Sequence, residues 1–424
     1  MERIAPHAGL LTTDERRYTQ ICDERIDAGA DESDMKKIII TAIVLSTLLS
    51  HASAAEWSGN IAAELRGFLS QGAWPGQGDG GISVSVQPEF RHQWDGGNFG
   101  VTLIPFARLD SMDDERSHAD IRELEFLWVK DDWEFRAGIG KVFWGVTETQ
   151  HLVDIINQSD VLEDIDHEEK LGQPMLRITR TIGNGGIDLF LLPWFRERAF
   201  PGVHGRFRPP LVIDKDLSSY ESDDEEHHFD WSIRWNQSVA NLDFALSWFQ
   251  GTSREPLLQF AGEVLAPFYF QLKQAGLELQ YTGEAWLWKL EAVHRETSAE
   301  SYNAFVGGFE YTFVGINESA TDLGVLLEYN YDSRDHLALT VFENDVFAGM
   351  RLALNDPQST ELLAGVMYDL DFNSKSFRLE ANRRLGESYK LGIEAHLFWD
   401  VGSQDPMYVF RKDDYVQVTL ARYF

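Results

Sequence analysis

From Glu56 onward the chain repeats one pattern: a stretch in which apolar and polar residues alternate, then a turn, then another such stretch. Leu277, Leu279 and Tyr281 alternate with Glu278 and Gln280. Val346, Ala348, Met350 and Leu352 alternate with Gly349 and Arg351, and Leu391, Ile393, Ala395, Leu397 and Trp399 with Glu394, His396 and Asp400. In the last ten residues Val416, Val418, Leu420 and Phe424 fall on one side, and Gln417, Thr419 and Ala421 on the other. A period of two is that of a β-strand with one apolar and one polar face. Read in order, the chain yields about eighteen such strands, with sixteen the alternative count. Their spacing suits strands of about 9–11 residues that cross a bilayer. Trp, Tyr and Phe gather near strand ends, as interfacial girdles require.

The links between strands alternate in length. Short ones include Trp94 to Asn98, Lys130 to Asp132, Gly183 to Gly186, Val239 to Asn241, Thr282 to Glu284, Asn355 to Gln358 and Leu385 to Ser388, rich in Gly, Asn and Asp; these are hairpin turns. Among the short links the one around Gly315 to Thr321 is longer; between them come Gln71 to Gly80, Ser111 to Ser117, Gly145 to Gln173, Ala199 to Glu226, Gly251 to Leu265, Ser333 to Asn344 and Val401 to Asp413, with short ones near Thr297 to Ser301 and Asp371 to Ser374. A soluble sandwich would show the same periodicity, its apolar face turned to a second sheet. Loops of alternating length favour an all-β, closed antiparallel transmembrane barrel with short turns on the periplasmic rim.

The amino terminus points the same way. Met35-Lys36-Lys37 precedes an apolar run from Ile38 to Leu49 and then Ala52-Ser53-Ala54, the build of a secretory signal peptide. The expected organisation is an upstream leader over 1–34, a signal peptide over 35–54, and one barrel over 55–424. The single cysteine, Cys22, lies in the leader, so no disulfide is expected in the exported part. A formal charge of −32 argues against nucleic acid as a partner. No stretch of the exported part approaches the roughly 18 apolar residues of a spanning helix.

The closing strand, with its terminal Phe424, resembles that of Gram-negative outer-membrane barrels. The resemblance implies an integral outer-membrane location among outer-membrane lipid and lipopolysaccharide, and that Leu420 and Phe424 form a signal read by the barrel assembly machinery. Arg422 stands where that pattern has an apolar residue. The run Gly140-Lys141-Val142-Phe143-Trp144-Gly145, followed by Asp154-Ile155-Ile156-Asn157, resembles the tryptophan-glycine and Asp-x-x-Asn stretch of alginate-export-type and related porin barrels; Gln158 stands where those have proline. Leu152, Val153, Ile155 and Ile156 are too many apolar residues for a solvated loop, so the segment is expected to fold into the lumen as a constriction, with a cap packed on the rim as the alternative. Lys141, Trp144, Gly145, Asp154, Asn157 and Asp160 would then form the constriction.

Alternation places Arg66, Arg91, Arg108, Arg122, Arg136, Arg234, Arg351, Arg378 and Glu394 on inner faces. They either line a conduit and bias the ions within it or pair with carboxylates and fill the wall. His92, His294 and His396 are expected to pair with lumenal carboxylates. The run Asp223 to His228 carries ligand types for divalent cations, yet an exposed acidic run is ordinarily solvated, and no metal or other cofactor is expected. No Gly-x-Ser-x-Gly, His-Glu-x-x-His or Gly-rich phosphate loop occurs, so no enzyme is expected. The expected function is a porin-like channel for a small polar or charged solute. The alternatives are export of a polymer or lipid-like molecule with periplasmic transport partners, a lipid-modifying enzyme, and a structural barrel.

Overall fold

In the computed structural model, residues 55–335, 338 and 340–424 are described. The expected leader (1–34) and signal peptide (35–54) lie outside them. Eighteen strands form one closed antiparallel barrel. They are β1 (Ala55–Phe68), β2 (Gly80–Trp94), β3 (Phe99–Asp110), β4 (Ala119–Lys130), β5 (Trp133–Gly140), β6 (Gln173–Ile182) and β7 (Gly185–Leu192). After a short loop strand, β8 (Ser219–Tyr220), the wall continues with β9 (Asp230–Val239) and β10 (Leu242–Thr252). A loop hairpin, β11 (Leu257–Ala261) and β12 (Val264–Tyr269), comes next. The wall is completed by β13 (Gln271–Thr282), β14 (Trp286–Thr297), β15 (Ser301–Phe313), β16 (Asp322–Asp332), β17 (Asn344–Ala353), β18 (Glu361–Asp369), β19 (Lys375–Leu385), β20 (Tyr389–Trp399) and β21 (Tyr415–Tyr423).

Each wall strand pairs with its neighbour along the chain, and β21 returns to β1 in a register running from Asn60↔Tyr423 to Phe68↔Tyr415. Closure removes the unpaired edge that the last strand would otherwise expose. One rim carries tight turns in which Asp131 (φ 53°) and Ala240 (φ 52°) take the left-handed conformation that two-residue hairpins demand. The opposite rim carries the long loops, which have structure of their own: β11 and β12 form a hairpin, and β8 pairs with β12 in parallel.

The period-two pattern now has a direction. Ile61, Leu65, Ile82, Val84, Leu124, Leu246, Met350, Ile393, Val418 and Leu420 stand exposed on the outer surface. On the short-turn rim the exposed side chains are aromatic and touch one another: Trp94 stacks on Phe99 and Trp128 on Phe135 across strands, and Trp286 on Trp288 along β14. An apolar belt ending in an aromatic girdle is the surface that a bilayer covers. Among the described residues no helix is long and apolar enough to cross a membrane. One irregularity in the wall serves the interior. The β3–β4 register shifts between Ile104 and Pro105, which face Glu123 and Ile121. This bulge gives the intervening Arg122 no partner of its own and turns it inward, where its side chain is 2% exposed.

Candidate functional site: the lumen and the loop that crosses it

The strand β5 is only eight residues long. The chain then leaves the wall at Lys141 and regains it at Gln173, and the intervening segment crosses the lumen. Gly145 makes the first bend at φ 139°, and a Cβ there would stand 2.5 Å from the His151 ring and 3.0 Å from the Glu291 carboxylate. Asn157 holds the base of the segment together: its Nδ2 donates to the carbonyls of Gly140 and Leu171 (2.9 and 2.8 Å), and its Oδ1 accepts from Val142 N.

One side of the segment is seated on apolar side chains. Trp144, Val153, Ile155 and Ile156 are each at most 4% exposed and pack with Met175, Phe190, Leu192, Phe249, Leu272, Val293 and Ala304 of the wall. Beside this seat two buried glutamates cap the loop backbone. Glu291 accepts from the amides of Val146, Thr147 and Val153, and Glu328 from those of Glu148 and Thr149. Arg254 clamps the same turn, donating to the Ile156 carbonyl while paired with Asp230 at 2.7 Å.

The other side is ionic. Arg122 meets Asp160 at 2.6 Å, and Arg108 meets Glu163 at 2.6 Å and Glu64 at 2.9 Å. Arg116 binds Glu64 and Asp110 at 2.8 and 2.7 Å, and the Leu162 carbonyl besides. Arg66 donates to Gln417 at 2.5 Å and to the Glu163 carbonyl, and Gln417 in turn donates to Glu394. Arg378 reaches Asp166 and Glu168 at 3.1 and 3.0 Å. The segment thus touches β3 and β4 on one side and β14 and β16 on the other, which span the lumen. Every one of these arginines has a carboxylate, as burial of charge requires.

Among the constriction residues expected from the sequence, Trp144, Asp154, Asn157 and Asp160 are buried and hold the loop to its seat; Asp154 pairs with Lys170 at 3.1 Å. Gly145 makes the bend, and Lys141 stays half-buried where the chain leaves the wall. The nine expected lumenal charges all sit on the inner face. Besides those above, Arg136 pairs with Glu134 and Glu125, Arg234 with Glu278, Arg351 with Glu148, and Arg91 with Glu89. Among the described residues, inner-face guanidinium groups open to water include Arg136 at 31%, Arg177 at 30% and Arg351 at 39% exposure, and Arg91, near the short-turn rim, at 54%. Arg136 and Arg177 are cross-strand partners. Two histidines depart from expectation. His294 is exposed on the outer face and contacts Asn303, and His396 is buried flat against the Tyr415 ring, 5.1 Å away. Sequence reasoning missed Glu291, Glu328 and Arg254. Alternation along Lys289, Glu291, Val293 and Arg295 carried a signal for the first; nothing local marked Arg254.

Several loop groups hold protons more tightly than usual. Burial raises Asp154 despite Lys170, and burial with Asp164 pushes Asp166 up to about 7 against the pull of Arg378. Burial pulls His151 down, but the Glu291 carboxylate outweighs it and the net shift is upward.

Two further features frame the lumen. Over the mouth, the loop 193–229 is fastened by Arg206, which is 1% exposed, pairs with Asp413 at 2.9 Å and binds the carbonyls of Ser70, Gly78 and Lys412. In the wall, the early end of β5 leaves the outer part of β4 without its usual neighbour. Gly172 fills the gap, so close that a Cβ would lie 2.4 Å from the Arg122 carbonyl. Outside it lies an apolar recess of about 520 Å³ bounded by Ile121, Ile139, Pro174, Trp194 and Arg196.

No protein-family model and no curated protein matches the chain. Among solved structures, an engineered mutant of the Rh. blastica porin aligns over 87% of this chain and 100% of its own, at 12% identity and a TM-score of 0.42. A loop-deletion mutant of OmpT, an outer membrane protein of Vibrio cholerae, aligns over 87% and 99%, at 9% identity and 0.45. Likeness of this size says nothing of what passes through the barrel.

Proposed function

We propose that the protein is an outer-membrane channel for small polar or charged solutes, with the segment 141–172 as its selectivity element. The apolar outer belt and the closed wall support the membrane location. The observation that carries the channel reading is the group of water-accessible guanidinium groups, Arg136, Arg177 and Arg351, fixed on the inner wall of a barrel that the segment crosses. Fixed charges in a confined aqueous path set the local concentration of ions and orient charged solutes. Arg351 is bound to Glu148 of the segment itself at 2.6 Å, so movement of the segment would change the charge that a solute meets. Deleting residues 146–170 should raise conductance in planar bilayers and weaken ion preference; an unchanged conductance would remove the segment from the pathway.

The recess beside Ile121 and Trp194 favours a second reading, passage or export of a lipid-like molecule, as the resemblance to export-type barrels implies. Incubation with a brominated detergent and measurement of Trp194 quenching separates the two. Quenching that a charged substitution at Ile121 abolishes, with no ion conductance, would support the lipid reading.

A further inference from the structure

Among the described residues, carboxylates buried inside this barrel are met by arginine or lysine, or, like Glu291 and Glu328, by backbone amides; one group is largely without either. Glu343 (1% exposed), Asp345 (0%), Asp369 (2%) and Asp405 (4%) are buried near the long-loop rim. Asp345 and Asp369 are cross-strand partners on β17 and β18, Glu343 sits two residues before Asp345 on the same side, and Asp405 comes from the loop 400–414. The charges that bear on them are one another: Glu343 faces Asp369, Asp405 and Asp371, and Asp345 faces Asp369, Glu343 and Asp405. Their oxygens are also unused. Both carboxylate oxygens of Glu343, Oδ1 of Asp345, Oδ2 of Asp405 and the neighbouring Ser374 hydroxyl are buried without a hydrogen-bond partner among the described residues. Asp369 spends one oxygen on the amides of Asp371 and Phe372.

We propose that Glu343, Asp345, Asp369 and Asp405 form a binding site for a calcium ion that ties the loop 400–414 to the rim of β17 and β18. Several buried carboxylates without a counter-charge are strongly unfavourable. A hard divalent cation resolves this because calcium takes six to eight oxygen ligands, and oxygen is the ligand type that these four residues offer. Flexible coordination suits calcium better than magnesium, which demands near-octahedral geometry and keeps its waters. A tighter group, His118, Asp160 and Glu163, has ligand atoms within 4.8 Å of one another, but Arg122 and Arg108 already neutralise its carboxylates. The acidic group is spread more widely, so the ion would draw Asp405 and its loop inward. That loop also carries Asp413, the partner of Arg206, so the ion would stiffen the cap over the mouth.

The test is calcium titration of the purified protein in detergent, followed by calorimetry and by terbium luminescence sensitised from nearby aromatic rings. One site is expected, with affinity lowered at least about tenfold, the scale seen when groups supporting a metal site are lost, in Glu343→Gln and separately in Asp405→Asn. Asp405→Asn lies in a loop and leaves the wall strands untouched, so it reads the site even if the other variant folds poorly. A double change at Asp223 and Asp224 should leave binding unchanged. No calcium binding, or binding lost only through Asp223 and Asp224, would overturn the proposal. So would Gln and Asn variants that stabilise the calcium-free protein and leave calcium binding intact, which would mean that the group is held neutral by protons.

Discussion

The segment 141–172 is held by two unlike seats. On the side of β6, β7, β10, β13 and β14 it rests on closely packed apolar side chains; Val153 and Ile156 are fully buried. On the side of β1, β3, β4 and β19 it rests on ion pairs built around Arg66, Arg108, Arg122 and Arg378. The apolar side chains hold the segment by contact and carry no charge for salt to screen. The ionic seat gains little over water once desolvation is charged against it, yet losing one partner leaves a buried charge bare. The first seat therefore fixes where the segment lies, and the second can be loosened by conditions.

The largest expected effect comes from the ionic seat. Arg108→Met should strip Glu163 of its main partner and weaken docking by about 3–5 kcal/mol, read as protease cleavage between 146 and 170 in an otherwise intact barrel. Ile156→Ala, on the apolar side, should cost about 2–5 kcal/mol and expose the same bonds, without changing the salt dependence of docking. Equal salt dependence in the two variants would erase the distinction between the seats.

Proton linkage sharpens it further. Asp154, Asp166 and His151 are all raised in the docked loop, so docking takes up protons. The stability this gives is complete below the ordinary values of 3.8 for the aspartates and 6.5 for the histidine. For Asp166 it is lost as pH rises from 3.8 to about 7, and for His151 as pH rises above 6.5. Burial pulls His167 of the same loop down to about 4, which opposes this below pH 6.5; docking should therefore weaken from about pH 6.5 to about pH 8, seen as smaller amide protection factors over 146–170, and larger ones at the higher pH would contradict this assignment. The smallest effect is expected from Arg351→Gln. Its exposed pair with Glu148 should contribute less than about 1 kcal/mol to docking, so the variant should alter ion preference and leave protease sensitivity unchanged.

Much of the wall was legible before any coordinates. Alternation and turn chemistry predict eighteen strands, because a strand with one lipid-facing side must keep strict period two. The same rule placed Arg66 and Arg108 inward; Arg122, also expected there, shares its parity with the outward-facing Leu124 and Phe126 and reaches the inside through the β3–β4 bulge. The rule could not name their partners: Arg122 meets Asp160 and Arg108 meets Glu163 only because the loop returns across the lumen, and no local pattern encodes that return. Apolar residues at 152–156 revealed that the loop is buried, but not that Phe190, Phe249 and Val293 receive it. The loop sheet of β8, β11 and β12 was missed because its strands lie inside a link and span as few as two residues. The group around Glu343 was invisible for a similar reason: its carboxylates come from three separate stretches.

The central claim is that solute passes through a lumen gated by the segment 141–172, and single-channel recording of the refolded protein in planar bilayers under a salt gradient tests it directly. The account predicts a small steady conductance with a definite ion preference, larger in both Arg108→Met and Ile156→Ala. No conductance in any of the three proteins, with the heat-modifiable barrel intact, would contradict it.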